Sequence, residues 1–286
     1  MKKSKAKPYL YILPAMVLAL VFVYAPFFGS VLSSFFNVRF DGSFSSYAGM
    51  DNYRRALSSD IFWQSLGNTF RFMVIFVPLN IIVIMTAVLL TWRRTKGDGV
   101  FQTIFMLPMA IGMSSIALIF KYMLRPSVGI VNRILGIDIQ WTNDATAAMF
   151  SVVFLGVFLD FGLDYLLLLA AMRNLDRGPQ EAAMIDGADE WRITTHIRLP
   201  MLSPTLFFVL FISIKDALLI CAPVMVMTEG GPFRSTQTIV YQYYIEAFKN
   251  FNYGSAAAIS TIVFILAFVI TMAAMKVDRG RIHYEN

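Results

Sequence analysis

Long apolar runs separated by short polar stretches set the pattern of this chain. A helix crosses a bilayer with about 20 predominantly apolar residues, and six stretches meet that requirement: 9–36, 70–92, 100–123, 145–172, 201–228 and 252–276. Four of them carry no charge away from their ends. The fourth contains Asp160 and Asp164, and the fifth contains Lys215 and Asp216. The first run is too long for a cleavable leader, and no small-residue cleavage site ends it. The pattern predicts an all-α polytopic membrane protein, one transmembrane domain over 1–286, with six spans. One connection, 173–200, is much longer than two antiparallel helices need.

Composition agrees. Hydrophobic residues make up 57% of the chain and charged residues 15%, against about 25% charged in a soluble domain. The 26 Phe and 17 Met exceed what a core inside a polar shell can hide, so they read as lipid-facing and packing residues. A soluble enzyme, a disordered chain and a disulfide scaffold are all excluded. The net charge of +6 is explained by where the cations fall. One side of the membrane collects Lys2, Lys3, Lys5, Lys7, Arg93, Arg94, Lys96, Arg173, Arg177, Arg192, Arg198, Lys276, Arg279 and Arg281. The other collects only eight, Arg39 and Lys249 among them. Since basic loops stay inside, both termini are placed in the cytoplasm, and no nucleic acid is needed to account for the surplus. Cys221 reads as a small packing residue. His196 and His283 read as solvated, with no metal site. No G-x-x-x-x-G-K-[ST] phosphate loop and no catalytic constellation is present, so the chain is not read as an enzyme and any driving energy has to come from another chain.

The long connection has a helical pattern of its own. Gln180 to Asp186 favours helix, Gly187 interrupts it, Ala188 to Ile193 restarts it, and Leu199-Pro200 ends the loop. A glycine between two short helices permits a sharp bend, and small residues at the start let another surface come close. The pattern describes a bent helical elbow offered to a cytoplasmic partner, or a loop packed on its own helices.

Here the chain resembles a known family. Glu181-Ala182-Ala183, then Asp186-Gly187, then Ile197-x-Leu199-Pro200 match, at full spacing, the EAA loop of binding-protein-dependent ABC importer permeases. The resemblance continues through Tyr11 to Ala15, Asp51-Asn52-Tyr53, Leu107-Pro108, Gly129 and Asn132, and through Met227-Thr228-Glu229-Gly230-Gly231-Pro232. That last segment is similar to carbohydrate permeases of the maltose and glycerol-3-phosphate type, which commonly have a further glycine where Glu229 stands. The resemblance implies a permease subunit that binds no cofactor itself. Two ATPase subunits, carrying ATP and Mg, would dock on the elbow through Glu181, Ala182, Ala183, Asp186, Gly187, Ile197, Leu199 and Pro200. It also implies a second related permease, an extracytoplasmic solute-binding protein facing Gly230, Gly231 and Pro232, and a cytoplasmic membrane of a bacterium or archaeon.

Two readings stay open from the residues themselves. Tyr241 to Phe248 is an aromatic amphipathic stretch that suits a membrane interface or a docking element under a binding protein. Ionisable groups at membrane depth normally face a partner or water. Either Lys215 pairs with a carboxylate and pins the fourth and fifth helices, or Asp160, Asp164, Lys215 and Asp216 line a solute path. Asp160, Asp164 and Lys215 would also serve a rival design, an ion-coupled secondary transporter.

Overall fold

The computed structural model describes residues 7–93 and 97–279; Lys2, Lys3, Lys5, Arg94, Lys96, Arg281 and His283 lie outside them. The chain opens with α1 (Lys7–Ala19), a wider π turn (Leu20–Tyr24) and α2 (Ala25–Ser33). A short antiparallel hairpin of β1 (Phe36–Val38) and β2 (Phe44–Tyr47) follows. Then come α3 (Asp51–Leu57), α4 (Asp60–Thr91), α5 (Asp98–Ala110), α6 (Met113–Met123), α7 (Ile130–Leu135) and α8 (Ala145–Arg173). The elbow consists of α9 (Gly178–Ile185), α10 (Glu190–Ile193) and a π turn (Thr194–Arg198) leading into α11 (Leu199–Leu219). The chain continues with α12 (Ala222–Met227), α13 (Ile239–Tyr244), a π turn (Ile245–Lys249) and α14 (Tyr253–Arg279).

Among the described residues, five helices are long and apolar enough to cross a membrane, six if α5 and α6 are one span bent by 100°. The apolar run over 100–123 is therefore bent within its length, close to Pro108. Pro108 has no N–H to donate, and Ile111 and Gly112 are both extended, with ψ of 135°. The Gly112 carbonyl then accepts from Ser115 and Ile116 to start the next helix. The fifth span is shorter than predicted. α11 stops at Leu219 because a continued helix would drive the Pro223 ring into the carbonyl four residues back, which is that of Leu219.

The contacts divide into two compact units. In the first (1–63 and 242–266), Phe27 packs on Phe264 with ring centroids 4.7 Å apart, and Ser30 meets Ser260 at 3.3 Å. Asn52, fully buried, donates to the carbonyls of Ser34 and Phe36 at 2.8 and 3.0 Å and so ties α3 to the hairpin. Gly254 fits beneath this tie, where a Cβ would lie 2.5 Å from the Phe36 carbonyl oxygen.

In the second unit (64–241 and 267–286), α8 is the central member, the most deeply buried of the long apolar helices. Ile84, Met85 and Val88 of α4 and Leu202 and Val209 of α11 close around its Tyr165, Leu168, Leu169 and Met172. Ile116 and Ala117 of α6 meet its Leu155 and Met227 of α12. At Gly156 an added Cβ would lie 3.0 Å from the Phe76 ring, so the missing side chain lets α4 approach α8 closely.

Candidate functional site

The elbow is built by local signals that the structure spells out. α9 starts at Gly178-Pro179, where proline loses nothing because a first-turn N–H has no helical partner, and the Asp176 carboxylate accepts from the Gly178 N–H at 3.0 Å. It ends in a Schellman motif. Gly187 sits at φ +81°, its N–H reaches the Met184 carbonyl at 3.1 Å, and the Ala188 N–H reaches the Ala183 carbonyl at 2.9 Å. Only glycine adopts this left-handed turn without strain, so the bend expected at Gly187 has an explicit geometry. Asp189 then caps α10 by accepting from the Arg192 N–H at 2.8 Å. Glu181, Ala182, Asp186, Gly187 and Pro200 are exposed, and Ala183, Ile197 and Leu199 half-buried. Ile185 and Trp191 stand out at 87% and 74% exposure.

Beneath this exposed face lies a polar brace that the sequence did not announce. Arg198, only 1% exposed, donates from Nε to Gln180 Oε1 at 2.9 Å and from Nη1 to Glu190 Oε1 at 2.6 Å and Thr194 Oγ1 at 3.0 Å. Its guanidinium lies 4.3 Å from the centre of the Trp92 ring. Glu190 also accepts from Arg93 at 2.8 Å. The two arginines hold the Glu190 carboxyl below its ordinary pKa, the hydrogen bond from Arg198 contributing most. Arg173, at the end of α8, donates to the Thr91 and Trp92 carbonyls at 3.0 and 3.1 Å and to Asp98 at 2.6 Å, so it caps the last turn of α4. A groove of about 660 Å³ opens between the end of α4 and α9, with Arg93, Arg177 and Glu181 on its walls.

The membrane-depth charges are arranged differently from the cross-helix pairing considered for Lys215. Its Nζ lies 2.7 Å from Asp216, its neighbour on the same helix, so this pair pins nothing. A neutral residue makes the link instead. Asn80 of α4, fully buried, donates from Nδ2 to Asp164 Oδ2 on α8 and to Ser213 Oγ on α11, both at 3.0 Å. Asp164 is wholly buried, and both its Oδ1 and Asp160 Oδ2 are buried without a hydrogen-bond partner. Asp160 and Asp216 face a cavity of about 280 Å³ walled by Phe72, Phe76, Gly156 and Cys221. Asp216 there is paired with Lys215, and Asp160 Oδ2 is the unpaired acceptor beside an otherwise apolar wall.

The turn at Gly230-Gly231-Pro232 is present, with Gly230 at φ +82° and a cis bond before Pro232. Glu229 is itself at φ +54°, a conformation that glycine adopts without strain. Thr236 Oγ1 donates to the Gly231 carbonyl at 2.8 Å, and Asn68 Nδ2 donates to the Arg234 and Gln237 carbonyls at 2.7 and 3.1 Å. The loop so fastened holds Phe233 at 94% exposure. The aromatic stretch after it is partly covered, for Tyr241 is 1% and Ala247 4% exposed while Phe248 is 57% exposed. His196 is exposed, with Nδ1 2.8 Å from Thr195 Oγ1.

Asn80, Ser213, Arg198, Gln180 and Glu190 are the residues that sequence reading missed. Asn80 had a signal, a lone amide deep in an apolar run. Arg198 had only its position inside the recognised loop.

A family model described as "Binding-protein-dependent transport system inner membrane component" matches residues 81–282. The chain is 27% identical to the sn-glycerol-3-phosphate transport system permease protein UgpA of Pectobacterium atrosepticum, over 99% of this chain and 97% of that one. It is 30% identical to a probable ABC transporter permease protein of Pyrococcus horikoshii, over 95% and 96%. Its fold matches a chain of a bacterial ABC transporter involved in the import of the acidic polysaccharide alginate, with a TM-score of 0.79, 23% identity and 95% and 94% coverage. The alginate transporter in complex with an alginate pentasaccharide-bound periplasmic protein gives a TM-score of 0.78 at 23% identity, over 93% and 91% of the two chains.

Proposed function

Because the chain belongs to the binding-protein-dependent transport system inner membrane components, we propose that it is the membrane-spanning subunit of an ATP-driven importer for a carbohydrate or sugar-like solute. Relatives named for glycerol-3-phosphate transport and a fold shared with an alginate importer support that substrate class. An extracytoplasmic binding protein delivers the solute to the side bearing Gly230, Gly231 and Pro232. A second, related permease completes the pathway. ATP and Mg are bound by two separate ATPase subunits, and both termini of this chain lie in the cytoplasm with the elbow.

The observation that carries the reading is the elbow. A helix that exposes Ile185 and is stopped by a left-handed glycine, followed by a second that exposes Trp191, offers apolar area where a loop otherwise stays polar. Large uncovered apolar patches mark interaction sites. ATP-driven closure of the ATPase pair would push two such elbows together and turn the cavity from one side of the membrane to the other. Within the bundle, Asp160 and Asp216 would accept hydrogen bonds from solute hydroxyls, since an ionised carboxylate offers about four lone-pair sites. The rival design, ion coupling through Asp160, Asp164 and Lys215, loses support because Lys215 is matched by Asp216 and Asp164 by Asn80.

Purification of the tagged full chain from its native membrane tests the reading. An ATP-hydrolysing subunit should accompany it and should cross-link to a photoreactive group placed at Ala182 or Ile185. Transport-competent material with no such subunit at the elbow would overturn the proposal. So would the chain alone moving solute on an ion gradient.

A further inference from the structure

Two helices carry the elbow through the chain itself: α8 leads into it and α11 leads out. α4 has no covalent connection there, yet its end is gripped from both sides. Arg173, the last residue of α8, donates to the Thr91 and Trp92 carbonyls. Arg198, the last residue before α11, lies 4.3 Å from the centre of the Trp92 ring and holds Gln180 and Glu190 of the elbow with the same guanidinium. Glu190 in turn takes Arg93 at 2.8 Å. A planar guanidinium with its donors in a fixed fork is suited to holding several elements at once, and this one is 1% exposed.

Following α4 away from the elbow, Asn80 lies eleven residues before Thr91, or about 17 Å at 1.5 Å per residue. Asn80 is the residue that joins Asp164 of α8 to Ser213 of α11. Just beyond it stands Pro78, which cannot donate to the carbonyl four residues earlier, so the helix has a weak point there. The stretch from Asn80 to Trp92 is therefore a rod. One end is fastened to the elbow by Arg198 and Arg173, and the other is fastened at membrane depth to Asp164 and Ser213.

We propose that Arg198 is a positioning residue that makes α4 a transmission rod, carrying displacement of the elbow to the Asn80–Asp164–Ser213 junction and the cavity beside it. The proposal rests on the reading of the elbow as the ATPase contact. Without the brace, the elbow moves but the junction stays behind. ATP is then hydrolysed with no matching change at membrane depth.

Cys221, the one cysteine in the chain, walls the cavity next to Asp160 and Asp216 and serves as a native reporter. The complete complex, purified with its ATPase subunits, is treated with a small water-soluble maleimide before and after trapping with Mg-ATP and vanadate. Modification of Cys221 is followed by mass on this chain alone. In the wild type, trapping should change the rate at least about fivefold, within the usual range for coupled sites. Arg198→Met, which keeps an apolar stem over Trp92, should hydrolyse ATP within about twofold of wild type yet bring that ratio close to one. Arg198→Lys, which restores one charge but not the fork, should recover part of it. If Arg198→Met does not assemble, Glu190→Gln is measured in the same way and decides the matter, because it releases Arg93 and weakens the hold on Arg198 at a half-exposed site. A full wild-type ratio in the assembled variant overturns the brace and leaves the coupling reading intact. A wild-type complex with no response to trapping overturns both.

Discussion

The elbow and the acid cluster at membrane depth are both polar constructions in an apolar protein, and they are finished to different degrees. At the elbow, Arg198 is buried and its Nε and Nη1 reach three acceptors. The bonds to Gln180 and Glu190 tie the π turn to α9 and α10, while the one to Thr194 stays within it, and a satisfied buried network of this kind rigidifies what it joins. At membrane depth, Asp164 has one oxygen held by Asn80 and one with no partner, and Asp160 has a buried oxygen in the same condition. Unpaired buried acceptors are rare in native structures. Under the proposed function a solute carrying hydroxyl groups would supply a donor to Asp160, which faces the cavity, whereas Asp164 is closed off from it. A closed network suits a part that transmits force, and an open one suits a part that receives a ligand.

The sharpest way to break this contrast is Gly187→Pro. Proline is held near φ −65° and cannot reach the +81° of the Schellman turn, so α9 and α10 are re-aimed while the spans stay intact. Solute uptake at equal membrane abundance should fall by more than about tenfold, equivalent to ~1.4 kcal/mol or more of lost coupling. Normal uptake would show that the elbow's shape is immaterial. Next in size is Asn80→Leu, which keeps the volume but strips Asp164 and Ser213 of their shared donor. Leaving a buried acceptor unmade costs about 1–3 kcal/mol, to be read as a lower unfolding temperature of the purified protein.

Glu190→Gln should have a smaller effect. The carboxylate is 47% exposed in its pairs with Arg93 and Arg198, so screening limits the loss to ~0.2–1 kcal/mol. Its folded pKa is depressed from the ordinary 4.5. The contribution is therefore complete above that value and is lost as pH falls through the folded pKa. The stability difference between wild type and variant should shrink on acidification below about pH 4.5 and vanish in strong acid. Least of all is Asp160→Asn, whose unpartnered oxygen supports nothing. Stability should stay within about 0.5 kcal/mol, while uptake falls. A loss of stability well beyond that would mean the carboxylate is structural and would erase the contrast.

The sequence carried much of the elbow in plain form. Gly187 between two short helical patterns, and Pro179 opening the first of them, are local signals with local causes, and a left-handed glycine turn needs no distant partner. Membrane spans were legible for the same reason, since lipid asks only for sustained apolarity. What escaped was contact between distant segments. Glu190 and Arg93 are 97 positions apart and Asn80 and Ser213 are 133 apart, and no window along the chain brings them together. Charge was also a misleading guide. Lys215 drew attention as a cross-helix pin, whereas the uncharged Asn80 does the pinning, because an amide both fits and bonds among neighbours where an ammonium finds its counter-ion next door. The breaks at Gly112 and after Leu219 each have a proline in reach, Pro108 and Pro223, so they too carried a local signal, since proline can kink a span.

The first span teaches something about change over time. Its apolar window from Tyr11–Ser33 has no residue buried within this chain. Before Phe27, where the helix meets Phe264, surrounding hydrocarbon judges it by oiliness rather than by shape, so Leu, Ile, Val and Phe are nearly synonymous there and its spelling is free to drift. Gly254, wedged against the Phe36 carbonyl, has no synonym. Variation among descendants of this protein should therefore be uneven, loose along the opening helix and tightly held wherever another part of the chain leans in.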